Sequence, residues 1–299
     1  MFWLVFSFIA AIFSSLTAIF AKIGVKNVNS DFATFYRTGV VIVFSALMCF
    51  VAGGFSSFSE FTLENYIFLC LSGITTGLSW LCYYRALKEG EVKKVAPIDK
   101  SGFVFTNILF VIFFFDETTK NGNPLTIIML VVSSVLMVAG TVLTVDDREL
   151  AEENKSKKWI IYAVLSAVFA SFTSLFVKFG LRGVNSNAAT LIRSLVVFVF
   201  AGAITCGKRE VSGVKNAGKG TFLFLTLSGA ATGGAWLCEY AALADAAANP
   251  VVVGAVGKFS VLLTMAFSLV VLKEKFTKRS FFGVAVLTAG IALMTIFGL

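Results

Sequence analysis

The chain is close to one sequence written twice, and each copy is a series of apolar runs long enough to cross a bilayer. Trp3-Leu-Val-Phe-Ser returns as Trp159-Ile-Ile-Tyr-Ala, Lys22-Ile-Gly-Val-Lys-Asn-Val-Asn-Ser returns as Lys178-Phe-Gly-Leu-Arg-Gly-Val-Asn-Ser, and Arg37 returns as Arg193, all displaced by 156 positions. The same displacement relates Leu71-Ser-Gly-Ile-Thr-Thr-Gly-Leu-Ser-Trp80-Leu-Cys-Tyr-Tyr84 to Leu227-Ser-Gly-Ala-Ala-Thr-Gly-Gly-Ala-Trp236-Leu-Cys-Glu-Tyr240. Lys100 and Lys258 are 158 apart, so two residues enter the second copy just before its lysine. Matched cations inside a duplicated apolar unit suggest a pathway along a pseudo-symmetry axis.

With 58% hydrophobic and 14% charged residues and a mean hydropathy of +0.89, the chain is built for lipid. Its 299 residues hold about ten spans of roughly 20 residues each and leave little for a soluble catalytic domain. The five cysteines all fall in apolar stretches without metal-ligand spacing, so neither a disulfide framework nor a metal site is expected. No histidine is present, which removes Ser-His-Asp and Cys-His nucleophiles, His-ligated haem and most catalytic zinc sites. No enzyme activity and no cofactor is expected. The net charge of +8 is scattered over short loops while the aromatic residues lie in the spans, a pattern that does not fit nucleic acid.

Apolar runs occupy 2–22, 33–53, 65–87, 95–115 and 125–145, then 159–179, 189–207, 221–243, 250–272 and 280–298. Runs of this length joined by short polar breaks predict helices rather than a barrel. The first run lacks a basic leader and its copy lies in mid-chain, so it reads as a retained span rather than a signal peptide. The expected architecture is an all-α integral membrane protein: a first repeat at 1–146, a charged cytoplasmic linker at 147–158 and a second repeat at 159–299. Five spans per copy is odd, so the copies must enter the membrane in opposite directions, giving ten transmembrane helices as two inverted five-helix repeats. Loop charge agrees. Seventeen Lys and Arg residues fall on one side, against Lys120, Lys178 and Arg182 on the side of the termini. The positive-inside rule then puts both termini outside the cytoplasm.

The pattern Tyr84-Arg-Ala-Leu, a short loop, a span from Val95 and then Glu117-Thr118-Thr119 recurs as Tyr240-Ala-Ala-Leu, Asn249-Pro, a span, Glu274 and Thr277. In this the chain resembles the EamA family of the drug/metabolite transporter superfamily over essentially its whole length. The resemblance implies ten helices and a central substrate cavity lined by the third, fourth, eighth and ninth, with contributions from the first and sixth. It also implies a secondary transporter in the plasma or inner membrane, with no particular substrate. Many members carry a proline where Lys100 and Lys258 stand; here the prolines are displaced to Pro97 and Pro250.

A charge well inside a spanning helix costs roughly 2.5 to 3.5 kcal/mol on insertion scales. Lys100 and Lys258 are therefore candidates to hold an anionic group of a substrate, with a structural ion pair or snorkelling as the competing reading. Glu239 stands at the position equivalent to Tyr83 and has no counterpart acid, which makes it a substrate-binding and proton-coupling candidate near Lys258. Trp80 with Tyr84, and Trp236 with Tyr240, share a helical face by their four-residue spacing and could wall a cavity or lie at a membrane interface. Ser15 and Ser171 offer matched hydroxyls in the first helix of each copy, beside Thr17 and Thr173, and compete with bonds to their own helix backbone. Gly73 with Gly77, and Gly229 with Gly233, have the spacing of close helix packing. Arg37 and Arg193 begin their runs, where an interfacial anchor outweighs a substrate role, and Asp99 reads as a cap or interface residue.

The leading expectation is a transporter that carries a small anionic or zwitterionic metabolite, coupled to protons or to exchange. Its partners are the lipid bilayer, its substrate and, as one compatible assembly, a second copy in a homodimer. An exporter of organic cations or drugs ranks lower, since neither 2–21 nor 159–177 contains an acid. A non-transporting scaffold or receptor is the alternative from another class.

Overall fold

A computed structural model describes residues 2–51, 53–119, 122–144, 158–207, 218–243, 250–273 and 276–298. The charged linker apart from Lys158, the loop at 208–217, Lys120, Asn249 and Glu274 lie outside the described residues. The described chain is helical, without a strand. In the first copy the helices are α1 (Phe2–Gly24), α2 (Ser30–Val51), α3 (Leu63–Glu89), α4 (Val92–Phe113) and α5 (Pro124–Thr144), with a short turn at Phe115–Thr119. The second copy contributes α6 (Lys158–Gly180), α7 (Ser186–Gly207), α8 (Lys219–Leu243), α9 (Pro250–Lys258), α10 (Ser260–Val271) and α11 (Lys278–Gly298). Eight of these, α1 to α8, are long and apolar enough to cross a membrane.

Helix is the form such segments take because it satisfies every interior N–H and C=O within the segment. Local chemistry sets the ends. At α3 the Thr62 side chain accepts from Asn65 N while Asn65 Oδ1 accepts from Thr62 N at 2.9 Å, a reciprocal cap. The same Asn65 donates its Nδ2 to Gly180 O at 3.0 Å and so ties the start of α3 to the end of α6. Pro124 and Pro250 open α5 and α9, where a missing N–H costs nothing.

One run is not a single uninterrupted helix. The run at 250–272 is two helices, because α9 stops at Lys258, Phe259 N–H turns back to Val256 O at 2.9 Å, and α10 begins at Ser260. The physical reason lies in the side chain at the break: Phe259 packs against the cluster of Trp3, Ala242, Val253 and Val256 and also against that of Val261, Met265, Leu287 and Ile291.

The most extensive helix pairs map onto one another when the copies are exchanged. α1 packs on α8 and α3 on α6; α2 packs on α7 and α5 on α11; α4 lies against α6 as α9 and α10 lie against α1. The α2–α7 pair runs antiparallel. Phe35 stacks on Phe198 at 4.7 Å, Gly202 faces Phe35, Gly39 faces Phe198, and further on Cys49 clusters with Ala188 and Leu191. α5 and α11 are antiparallel as well, with Gly140 against Leu287 and Gly290 against Met137.

The glycines mark the tight crossings. A Cβ on Gly73 would stand 2.7 Å from Val196 Cβ, and one on Gly229 would stand 2.8 Å from Val40 Cβ, the same contact in each copy. Backbones can approach this closely only where side chains are absent. Outward-facing residues such as Phe50, Val51, Val199 and Val270 are more than two-thirds exposed, the apolar surface that hydrocarbon covers.

Candidate functional site

The largest side chain fully buried in the molecule is charged. Arg37 is 2% exposed and Arg193 8%, so neither is the interfacial anchor that its place at the start of an apolar run suggests. The correction follows from the helix boundary: α2 begins at Ser30 rather than at 33, which sets Arg37 two turns inside the helix.

Each arginine reaches the third helix of the other copy. Arg37 Nη2 donates to Thr232 Oγ1 on α8, and Arg193 Nη2 donates to Thr76 Oγ1 on α3 at 3.3 Å. The Arg37 guanidinium also lies over Trp80 at 4.7 Å and Tyr84 at 5.0 Å, both on α3, an arrangement in which the ring faces attract the cation. Trp80 in turn stacks on Trp236 with centroids 6.0 Å apart and planes inclined by 23°, so the two indoles join the copies at this level. Hydroxyls complete the layer: Thr17 and Thr232 stand 3.2 Å apart, and Thr173 donates to Thr75 at 2.9 Å.

The expected residues fall as follows. Trp80, Trp236 and Tyr84 come together around Arg37, as helical spacing arranges for the first copy. Lys258 is half-buried at the end of α9, with Nζ 4.9 Å from the Phe103 ring of α4. Glu239 is half-buried on α8. The side chains of Lys100 and Tyr240 lie outside the described residues. Ser15 donates to Ile12 O at 2.7 Å, within its own helix. Ser171 donates to Gly102 O at 2.7 Å and to Ala167 O at 2.8 Å, fastening α6 to α4. Asp99 is an inter-helix acceptor, taking a hydrogen bond from Ser166 Oγ at 2.6 Å, and Ser166 also lies 3.2 Å from Ser79 on α3.

At one end of the bundle the lysines are also less exposed than a loop would leave them. Lys93 and Lys94 form the first turn of α4, are 2% and 3% exposed, and share Glu91 Oε2 at 3.5 and 3.0 Å. Lys22 donates to Leu87 O and Gly90 O, satisfying carbonyls left over at the end of α3. Its counterpart Lys178 lies instead over Phe114 at 4.2 Å.

A cavity of about 460 Å³ lies apart from the Arg–Trp layer, between α4, α5 and α6. Ile98, Val138, Val142 and Val164 line it, with Ser101 and Thr141 as its polar members. Several of its lining side chains are exposed on the apolar surface, so it opens sideways toward hydrocarbon. Among the described residues no group of three or more His, Cys, Asp or Glu could hold a metal ion.

What sequence reasoning missed is the arginine–threonine exchange, although its signal was available: Arg37, Arg193, Thr76 and Thr232 all obey the 156-residue displacement. The arrangement is a polar layer inside a membrane bundle, built by both copies.

Comparison with known proteins agrees with this reading. The chain is 44% identical over 111 residues, 37% of its length and 79% of the relative's, to a Sinorhizobium protein described as an uncharacterized transporter in the cobO 3' region. The EamA-like transporter family matches residues 1–143 and again 157–296, once for each copy. A multi-pass membrane protein whose two halves each match, the chain belongs to the EamA-like transporter family.

Proposed function

We propose that the protein is a secondary transporter that moves a small anionic or zwitterionic metabolite by alternating access between two inverted five-helix repeats. The observation that carries this is the antiparallel packing of equivalent helices, α2 on α7 and α5 on α11, combined with buried cations at the crossing. Antiparallel mates are what an axis in the membrane plane requires, and such an axis lets the halves exchange conformations to open alternately to either side. In this reading α9 and α10 together form one interrupted span and α11 the tenth. Interrupted helices are common at transporter binding sites, and Lys258 stands at this interruption. Loop charge supports termini outside the cytoplasm, in the plasma or inner membrane. Glu239 is the coupling candidate.

The test is uptake by proteoliposomes of labelled organic acids, amino acids, phosphorylated metabolites and amines. Saturable uptake of an anion or zwitterion, reduced by Lys258→Ala, is expected. Competition by quaternary ammonium compounds with no effect of Lys258→Ala would shift the reading to cation export.

A further inference from the structure

The two buried arginines are supplied with less than a guanidinium needs. Nε and Nη1 of Arg37, which carry three of its five N–H donors, have no hydrogen-bond partner among the described residues, and neither does Nε of Arg193. Among the described residues neither arginine makes an ion pair. A charge held out of water without a counter-ion is costly, and an apolar side chain of similar volume would serve packing better. One threonine hydroxyl and a stack over Trp80 and Tyr84 recover part of that cost, and leave Nε and Nη1 without an acceptor among the described residues.

The position of the pair is equally specific. In the antiparallel α2–α7 contact, Gly39 meets Phe198 and Phe35 meets Gly202, so the crossing point lies beside Val40 and Val196. Arg37 and Arg193 each stand between three and four residues from it, about 5 Å along the helix on opposite sides, at a rise of roughly 1.5 Å per residue. The stacked indoles of Trp80 and Trp236 bridge α3 and α8, the two helices that supply the threonine partners.

We propose that Arg37 and Arg193 are a duplicated receptor for a carboxylate of the transported metabolite, each engaging it from its own side of the crossing. This rests on the transport reading above. A carboxylate, rather than a phosphate dianion, fits because each site offers a single guanidinium, the hydroxyls of Thr232 and Thr76 being committed to Ser228 O and Ser72 O. Aromatic faces wall the Arg37 site, and no second cation lies against Arg37 among the described residues. The aromatic walls suit an apolar or planar group next to the carboxylate.

The experiment uses purified full-length protein, wild type and the variants Arg37→Gln, Arg37→Lys, Arg193→Gln and the double glutamine. Thermal shift with benzoate, pyruvate and phenylalanine is compared with the corresponding amides and with inorganic phosphate, and uptake of the binding acids is then measured from each face of oriented proteoliposomes. At least one acid is expected to raise the melting temperature of wild type while its amide and phosphate do not. Arg37→Gln, freed of an unpaired charge, should melt no lower than wild type without ligand, whereas loss of a structural anchor would lower it. On one face Arg37→Gln should raise KM roughly a hundredfold, as loss of a buried charged partner does, with Arg193→Gln acting on the other face. Lysine at 37 should restore part of the uptake, which a purely steric role would not predict.

The receptor is overturned if the amide binds as well as the acid, if phosphate is preferred, or if both glutamine variants keep the wild-type KM on both faces. Wild-type uptake of a cation or neutral compound that Arg37→Gln leaves unchanged overturns the receptor and leaves transport standing. Absence of any uptake by wild type, with no carboxylate-dependent shift, overturns both.

Discussion

The fourth helix of the first copy and its counterpart in the second began from related sequence and ended differently. α4 runs unbroken for 22 residues although Pro97 lies inside it, while the counterpart, with no internal proline, divides between Lys258 and Ser260. The facing side chains account for the contrast. Phe259 is the counterpart of Ser101, and Phe8 that of Val164; where α1 meets the break between α9 and α10 the two rings face one another at 6.0 Å. At the equivalent crossing of α4 and α6 the smaller pair, Ser101 and Val164, lines the 460 Å³ cavity. Duplication copied the helix crossings, and side-chain volume then decided separately in each half whether the space was filled by protein or left open to the bilayer.

The largest effect that would break this comparison is at the ring itself. Phe259→Ala should destabilise the protein by about 3 kcal/mol, near the low end for buried aromatic truncations because the residue is only half-buried. The converse change, Ser101→Phe, writes the second copy's residue into the open half and should stay within about 1 kcal/mol of wild type. Both are read by SDS titration in mixed micelles. Equal losses would show that the halves are packed alike.

A smaller effect sharpens the shared part. Gly73→Ala and Gly229→Ala each force a methyl against a valine across a helix crossing, and each should cost about 1 to 3 kcal/mol. The prediction lies in their equality: a difference above about 1 kcal/mol would mean that the crossings are not equivalent. Gly254→Ala, which meets nothing within 4 Å, serves as the control and should be neutral or slightly stabilising, as expected for alanine in a helix. A smaller effect again is expected for Lys22→Met, which removes the donor to the last carbonyls of α3 and should cost about 1 kcal/mol. Lys178→Met removes a stack on the Phe110 and Phe114 rings, a contact worth about 0.5 kcal/mol.

Helix and partner glycines were readable because each depends on a local pattern: an apolar run, a four-residue spacing. The aromatic cluster was half readable for the same reason, since spacing puts Trp80 and Tyr84 on one face but says nothing of Trp236 stacking on the first. The arginines were misread because an apolar window starts counting after the polar first turn, Ser30 and Asp31, which in the fold is already helix and already buried. The break at Phe259 had no local signature, because it depends on two clusters that only the folded chain assembles. The burial of Lys93 and Lys94 around Glu91 at the end of the bundle has no local signature either, since a charged pair before an apolar run looks the same whether it is solvated or folded under.

The pair of indoles has an optical consequence. The chain holds four tryptophans, and two of them, Trp80 from the first copy and Trp236 from the second, stack on one another beneath a cation. Trp3 and Trp159 are buried elsewhere, near the start of the first helix of each copy, and can be replaced by phenylalanine. What remains is a native emitter whose two indoles sit on different copies. On the alternating-access mechanism proposed above, its emission would report the movement of one copy against the other in unlabelled protein.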